Sequence, residues 1–159
     1  MKRLTILLAV FCMILSVYSA DSPELKTMTL TLEEVRSHGA FVFEEIGYAT
    51  LAGISKPRYE DSVFEEVKGI VSKKLDSMKD KNGKLKVRVH ALERTYKDGR
   101  KRTYNYIIIE GKDGPSLNEF VIRKGICYLN KYAKDYYDIE KMKKLEDKAK
   151  EEKLYNWKD

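Results

Sequence analysis

The chain of 159 residues carries 31 Lys and Arg against 25 Asp and Glu, a formal charge of +6, and only two cysteines. A chain of this length buries a core of its own without covalent staples, and two cysteines exclude a disulfide-dense scaffold. The apolar share of 43%, with nine glycines and three prolines, argues against wholesale disorder and excludes a collagen-like or low-complexity chain.

Lys2 and Arg3 precede an almost unbroken apolar run from Leu4 to Val17, and Ser19 and Ala20 stand before the charged Asp21. That order is expected of a signal peptide over residues 1–20, cleaved near Ser19 or Ala20, and it makes the protein secreted or periplasmic. No other segment approaches the roughly 18 apolar residues that a spanning helix needs, so no membrane span is expected after cleavage. Removal of residues 1–20 takes out Lys2, Arg3 and Cys12, which lowers the formal charge from +6 to +4 and leaves Cys127 as the single thiol. An intramolecular disulfide is then impossible. Cys127 sits in the apolar run Ile126-Cys127-Tyr128-Leu129, where a small buried hydrophobe is expected.

Beyond a short polar leader, Met28, Leu30 and Leu32 alternate with Thr29 and Thr31 as in a strand. Two more strands are expected at Ala40–Phe43 and Tyr48–Ile54, with Gly47 near the turn. Val63, Val67, Ile70, Phe64, Val71 and Leu75 recur at helical spacing, which predicts a helix over 60–77 started by Asp61 or Ser62. After the turn signal Asp80-Lys81-Asn82-Gly83, period two places Val87, Val89 and Ala91 on one face of a strand and Lys86, Arg88 and His90 on the other. Lys97-Asp98-Gly99-Arg100 makes the next turn, Tyr104 to Ile109 the next strand, and Gly111 to Pro115 ends the β part. A short helix around Leu117, Phe120 and Val121 stops at Gly125, and a longer one covers about 137–154 with Ile139, Met142, Leu145 and Ala149 as its apolar stripe. No repeat or linker interrupts the chain. One α+β domain over residues 25–159 is the economical reading.

Cations crowd residues 79–102, where Lys79, Lys81, Lys84, Lys86, Arg88, Arg94, Lys97, Arg100, Lys101 and Arg102 face only Asp80, Glu93 and Asp98. With Tyr96, Tyr104 and Tyr106 interleaved, such a stripe suits a phosphate backbone with bases stacked on rings; the plainer alternative is a solvated outer face. His38 and His90 fall in no ligand spacing, and neither a zinc set nor a nucleophile motif is present. From the residues alone, no metal site and no cofactor is expected.

Three segments in order resemble the staphylococcal nuclease-like, or thermonuclease, family. They are Glu93-Arg94-Thr95-Tyr96-Lys97-Asp98-Gly99-Arg100 with Thr103-Tyr104-Asn105-Tyr106, then Leu117 to Gly125, then Leu145 to Trp157. Upstream, Ala49 to Arg58 is similar to the family's V-R-L-x-G-I-D-x-P-E strand and loop. The resemblance implies a five-stranded OB-type β-barrel with three helices, and calcium-assisted cleavage of phosphodiesters. In the family a hard cation polarises the phosphate, a glutamate assists the water and two arginines offset developing charge.

Carried over by position, that machinery is eroded. Thr50 stands for the first arginine, Ser55 for a metal aspartate and Arg58 for the glutamate base, while the D-G-D-T stretch falls near His38-Gly39-Ala40-Phe41. Only Arg100 matches a catalytic position. The resemblance so corrected implies an inactive family member that binds nucleic acid or another anionic polymer through Lys86, Arg88, Lys97, Arg100, Lys101, Arg102 and Tyr104. Two alternatives remain open at this point. One is a protein-binding module using loop residues Lys56, Arg58 and Tyr59; the other is a calcium-dependent nuclease in which Glu44, Glu45, Glu60 or Asp61 has taken over the metal.

Overall fold

A computed structural model describes residues 23–158; the expected signal peptide lies outside the described residues. Alternation in period two makes β1 (Lys26–Leu30) and β2 (Leu32–Ser37), which only Thr31 separates. The chain continues through β3 (Ala40–Phe43), β4 (Gly47–Leu51), β5 (Ile54–Ser55), α1 (Asp61–Met78), β6 (Leu85–Thr95) and β7 (Lys101–Ile109). It ends with α2 (Leu117–Arg123), β8 (Tyr128–Leu129), a 3-10 turn at Ala133–Asp135, α3 (Ile139–Glu151) and a second 3-10 turn at Tyr155–Trp157.

The main sheet has the order β1-β6-β7-β4-β3-β2, antiparallel except for the parallel pair β4 and β7. Its two outermost strands are β1 and β2, which are consecutive in the chain. The sheet therefore curls until its edges meet at Thr31, and β1 with β2 act as one bent strand of a five-stranded, OB-type barrel. The corner is pinned from the next turn. The Glu45 carboxylate accepts from Thr31 N at 2.9 Å and from Thr31 Oγ1 at 3.0 Å, and Glu44 N donates to Thr31 O at 3.1 Å. These backbone bonds hold the Glu45 carboxyl below its usual range.

Inward-facing residues alternate along each strand: Phe41 and Phe43, Ala49 and Leu51, Val87 and Val89, Ile107 and Ile109. Val67, Val71, Leu75 and Met78 of α1 close one end of the barrel as a single stripe, and Leu117 and Val121 of α2 join the same core. Each such fully buried side chain adds roughly 1.5–3 kcal/mol over leaving it in water. Cys127 is also fully buried, and burial pushes its thiol up to about 12. Among the described residues no helix is long and apolar enough to cross a membrane.

Several sequence expectations need correction. The first helix has Glu60 at its N-cap with no side-chain cap bond. Ala91 is exposed, because β6 outruns the barrel wall. A further strand, β8, follows the expected end of the β part and pairs with β5. Ser116 and Glu119 form a capping box at the start of α2, while Asn118 is fully buried. Its Oδ1 accepts from Ile109 N at 3.2 Å, and its Nδ2 donates to Ile107 O at 3.1 Å and to the Tyr137 hydroxyl at 2.6 Å. Trp157 is half-buried outside the main core, with the Lys150 ammonium 4.8 Å from its ring centroid. The last helix starts at Ile139, where Asp138 caps Glu140 N and Lys141 N. Gly125 does terminate α2: its φ is +66°, and a Cβ there would lie 2.5 Å from Leu154 O, so only glycine lets the C-terminal segment dock.

Asn118→Ala should cost about 2–4 kcal/mol in urea unfolding, since it strands a buried amide, a carbonyl and a phenol; a cost under 1 kcal/mol would contradict this bonding. A second expectation concerns His38, which is 2% exposed between Tyr59 and Phe64, its ring nitrogens without a well-formed hydrogen bond among the described residues. Burial foremost, then the Lys56 charge, lowers its pKa from 6.5 to about 4, against a weak opposing pull from the Pro57 carbonyl. The unfolded chain thus binds a proton first as pH falls. The contribution is complete above pH 6.5 and lost by about pH 4, on the order of 2–3 kcal/mol. Unfolding free energies at pH 7 and pH 4.5 should differ less for His38→Gln than for the unsubstituted chain; equal pH dependence would contradict it.

Candidate functional site

On the outer barrel face, side chains of one parity line up across three strands. His90 of β6 is directly opposite Tyr106 of β7, which is directly opposite Thr50 of β4. Farther along β6 and β7 come the rows Leu92 with Tyr104 and Arg94 with Arg102. Asn105 fixes the start of β4 against β7 by donating from Nδ2 to Ile46 O at 2.9 Å.

Two clefts flank this face. One, of about 540 Å³, is lined by Thr50, His90, Arg94, Tyr106, Tyr132 and Tyr136 among others. A second, of about 600 Å³, is lined by Tyr48, Thr50, Arg102, Tyr104, Asn105 and Tyr106 among others. Thr50 and Tyr106 belong to both, so the clefts are neighbours across a low ridge. Among the described residues the exposed large hydrophobic side chains are Tyr48 at 55%, Tyr132 at 53% and Tyr96 at 41%. The first two line these clefts, and Tyr96 shares the strand parity of Arg94. Exposed rings on one face, interleaved with guanidiniums, make a stacking surface.

The outer wall of the first cleft is the segment 130–137. It approaches the barrel over Gly53, whose φ is +64° and whose Cβ would lie 2.8 Å from Ala133 Cα. The Tyr137 hydroxyl anchors it, donating to Ala52 O at 2.7 Å. Tyr136 then reaches His90, with its hydroxyl 2.8 Å from Nδ1, the direction of that bond following the imidazole tautomer. Burial raises the pKa of Tyr136, with smaller contributions from Tyr106 and Asp135. His90 is thus half-buried and oriented.

The expected binding residues divide by location. Arg102 and Tyr104 line the second cleft. Lys86 and Arg88 lie on the same outer face, but Glu110 takes both, at 2.8 and 3.0 Å. Lys97 and Arg100 are exposed in the turn of the β6–β7 hairpin, and Arg100 lines neither cleft. Its Nε donates to Asp98 Oδ2 at 2.6 Å, which lowers the Asp98 carboxyl pKa. Lys101 has the opposite parity and pairs with Glu93 at 2.9 Å. Tyr48, Tyr132 and Tyr136 were not singled out from sequence, whereas Arg94 stood there as one cation of the basic stripe and His90 on the cationic face of its strand. Parity about the hairpin turn carried the signal for Arg94 and His90; nothing local announced the loop tyrosines.

The donor set does not suit calcium. Ser55 is in β5, paired with Tyr128, and Arg58 is exposed in the loop before α1. Among the described residues no three of His, Cys, Asp and Glu converge in a metal-holding group. Of the alternative acids, Glu45 is engaged by Thr31 and Lys84, while Glu60 and Asp61 open α1. A hard cation needs several oxygen ligands at once.

A comparison with protein-family models matches residues 49–159 to the family described as staphylococcal nuclease homologue. No curated protein matches the chain. The matched stretch takes in the end of β4, all of β6 and β7 and most of the cleft-lining residues, as well as α1, α2 and α3, while Tyr48 lies just before it. By that match and by its OB-type barrel with three helices, the chain belongs to the staphylococcal nuclease homologue family.

Proposed function

We propose that this protein is a non-catalytic family member that binds single-stranded nucleic acid across the outer barrel face, and that residues 1–20 direct its export. The observation that carries the reading is the row of exposed tyrosines and arginines along two adjoining clefts. Rings without a fixed hydrogen-bond pattern accept any base, and guanidiniums supply the charge for its backbone.

The loss of chemistry is supported by substitution. Threonine at 50 cannot offset charge on a phosphoryl oxygen, and Arg58 at the base position repels a cation and takes no proton at neutral pH. Together with the absence of a converging carboxylate set among the described residues, this favours binding over cleavage. The protein-binding alternative is less favoured. Its candidate Tyr59 is turned inward, with its hydroxyl donating to Ile126 O at 2.7 Å, and the Lys56 stem covers Gly39.

Fluorescence anisotropy with labelled oligothymidine at low salt should show binding, and Tyr48→Ala and Tyr132→Ala should each weaken it by about 1–3 kcal/mol. The same oligonucleotide incubated with calcium should stay at full length. Chelator-sensitive shortening would overturn the non-catalytic reading, and the absence of binding would overturn the nucleic-acid reading.

A further inference from the structure

The β6–β7 hairpin outruns both of its neighbours. β1 pairs with β6 only as far as Val89, and β4 pairs with β7 from Asn105 onward. The rows from Leu92 with Tyr104 to Thr95 with Lys101 are therefore a two-stranded ribbon, with no third strand on either side among the described residues. Its two faces differ in charge. On the rear, Lys101 is neutralised by Glu93. On the front, Arg94 is directly opposite Arg102, and neither has an acidic partner among the described residues.

Like charges directly opposite each other destabilise a strand pair. Here the front face offsets that cost with rings alone. The Arg94 guanidinium is 5.5 Å from the Tyr104 centroid, the Arg102 guanidinium is 6.0 Å from that of Tyr96, and the two tyrosine hydroxyls meet between them. The result is two ring-supported guanidiniums whose donors have no carboxylate to bind. Arg94 borders the first cleft and Arg102 the second, so the ribbon serves both.

We infer that this ribbon is a phosphate-binding arm, in which Arg94 and Arg102 each hold one backbone phosphate of a single-stranded nucleic acid crossing the outer face. Planar guanidiniums that lie beside rings and lack a carboxylate partner keep N–H groups for bidentate contact with phosphate oxygens. The interleaved rings favour a polymer that carries bases over a sulfated polysaccharide, which has no π-face to stack. The turn cations Lys97 and Arg100 and the rear cation Lys101 stand apart from this contact. The inference rests on the nucleic-acid reading above and assigns the residues that carry its electrostatics.

The salt dependence of oligothymidine binding tests it. Each phosphate contact on a single strand adds about 0.7 to the slope of log K against log salt. Arg94→Gln and Arg102→Gln should each lower the slope by about 0.7, the double variant by about twice that, and Lys101→Gln should leave it unchanged. An unchanged slope in the double variant, with tight binding retained, would overturn the arm while leaving the nucleic-acid reading intact. A loss in Lys101→Gln equal to that in Arg102→Gln would also overturn it, by showing that net charge alone matters. No binding by the unsubstituted protein at low salt, or binding of heparin only, would remove the nucleic-acid reading and the arm with it. Matching circular dichroism and melting temperatures in all variants show that the slopes compare folded proteins.

Discussion

Asn118 ties the working face to the core. Its buried amide joins two backbone groups of β7 to the Tyr137 hydroxyl, and that hydroxyl passes the connection to Ala52 O at the end of β4. Inside a low-dielectric core such a chain is strong when complete and costly when broken. It fixes α2 against the sheet and, through Tyr137, fixes the segment that walls the first cleft. Tyr136 reaches His90 only because its neighbour is held there. The position of the candidate site is thus a consequence of one satisfied polar node in a mostly apolar interior.

Charge follows a comparable logic. The chain is basic, but several of its cations are paired where they lie: Lys86 and Arg88 with Glu110, Arg100 with Asp98, Lys101 with Glu93 and Lys141 with Glu119. Such exposed pairs contribute little stability, yet they decide which cations remain available to an anion. On the β6–β7 ribbon the acids sit in the turn and on the rear, and the front face is left positive. The formal charge of +6 gave no hint of this asymmetry. Placement of Glu93 and Asp98, and not the surplus of bases, singles out Arg94 and Arg102.

Much of the fold was legible because strong periodicity reports burial directly. Val67, Val71 and Leu75 of α1 and Val87 and Val89 of β6 are buried as their spacing implies. The break at Thr31 was not legible, since a strand that changes partners at a barrel corner keeps its alternation through the bend. Nor was Asn118, because a polar residue inside a helix suggests the helix surface until the neighbouring strand end is seen to need its amide. At the site, the resemblance drew attention to Arg100, while strand parity points to Arg94 and Arg102. Counting outward from the turn separates Lys101 from Arg102, adjacent in sequence and on opposite faces in space. Tyr132 and Tyr136 reach the cleft through a loop that carries no periodic signal, and only tertiary packing over Gly53 brings them there.

The central claim is that one face of the barrel binds a nucleic-acid strand. Titration of isotopically labelled protein with unlabelled oligothymidine, followed by amide chemical shifts, reads that face residue by residue. The largest changes are expected at Thr50, His90, Arg94, Arg102, Tyr104, Tyr106, Tyr132 and Tyr136, with Lys86, Arg88 and Lys101 little affected. Changes concentrated instead between α2 and α3, or spread in proportion to positive charge, would contradict it.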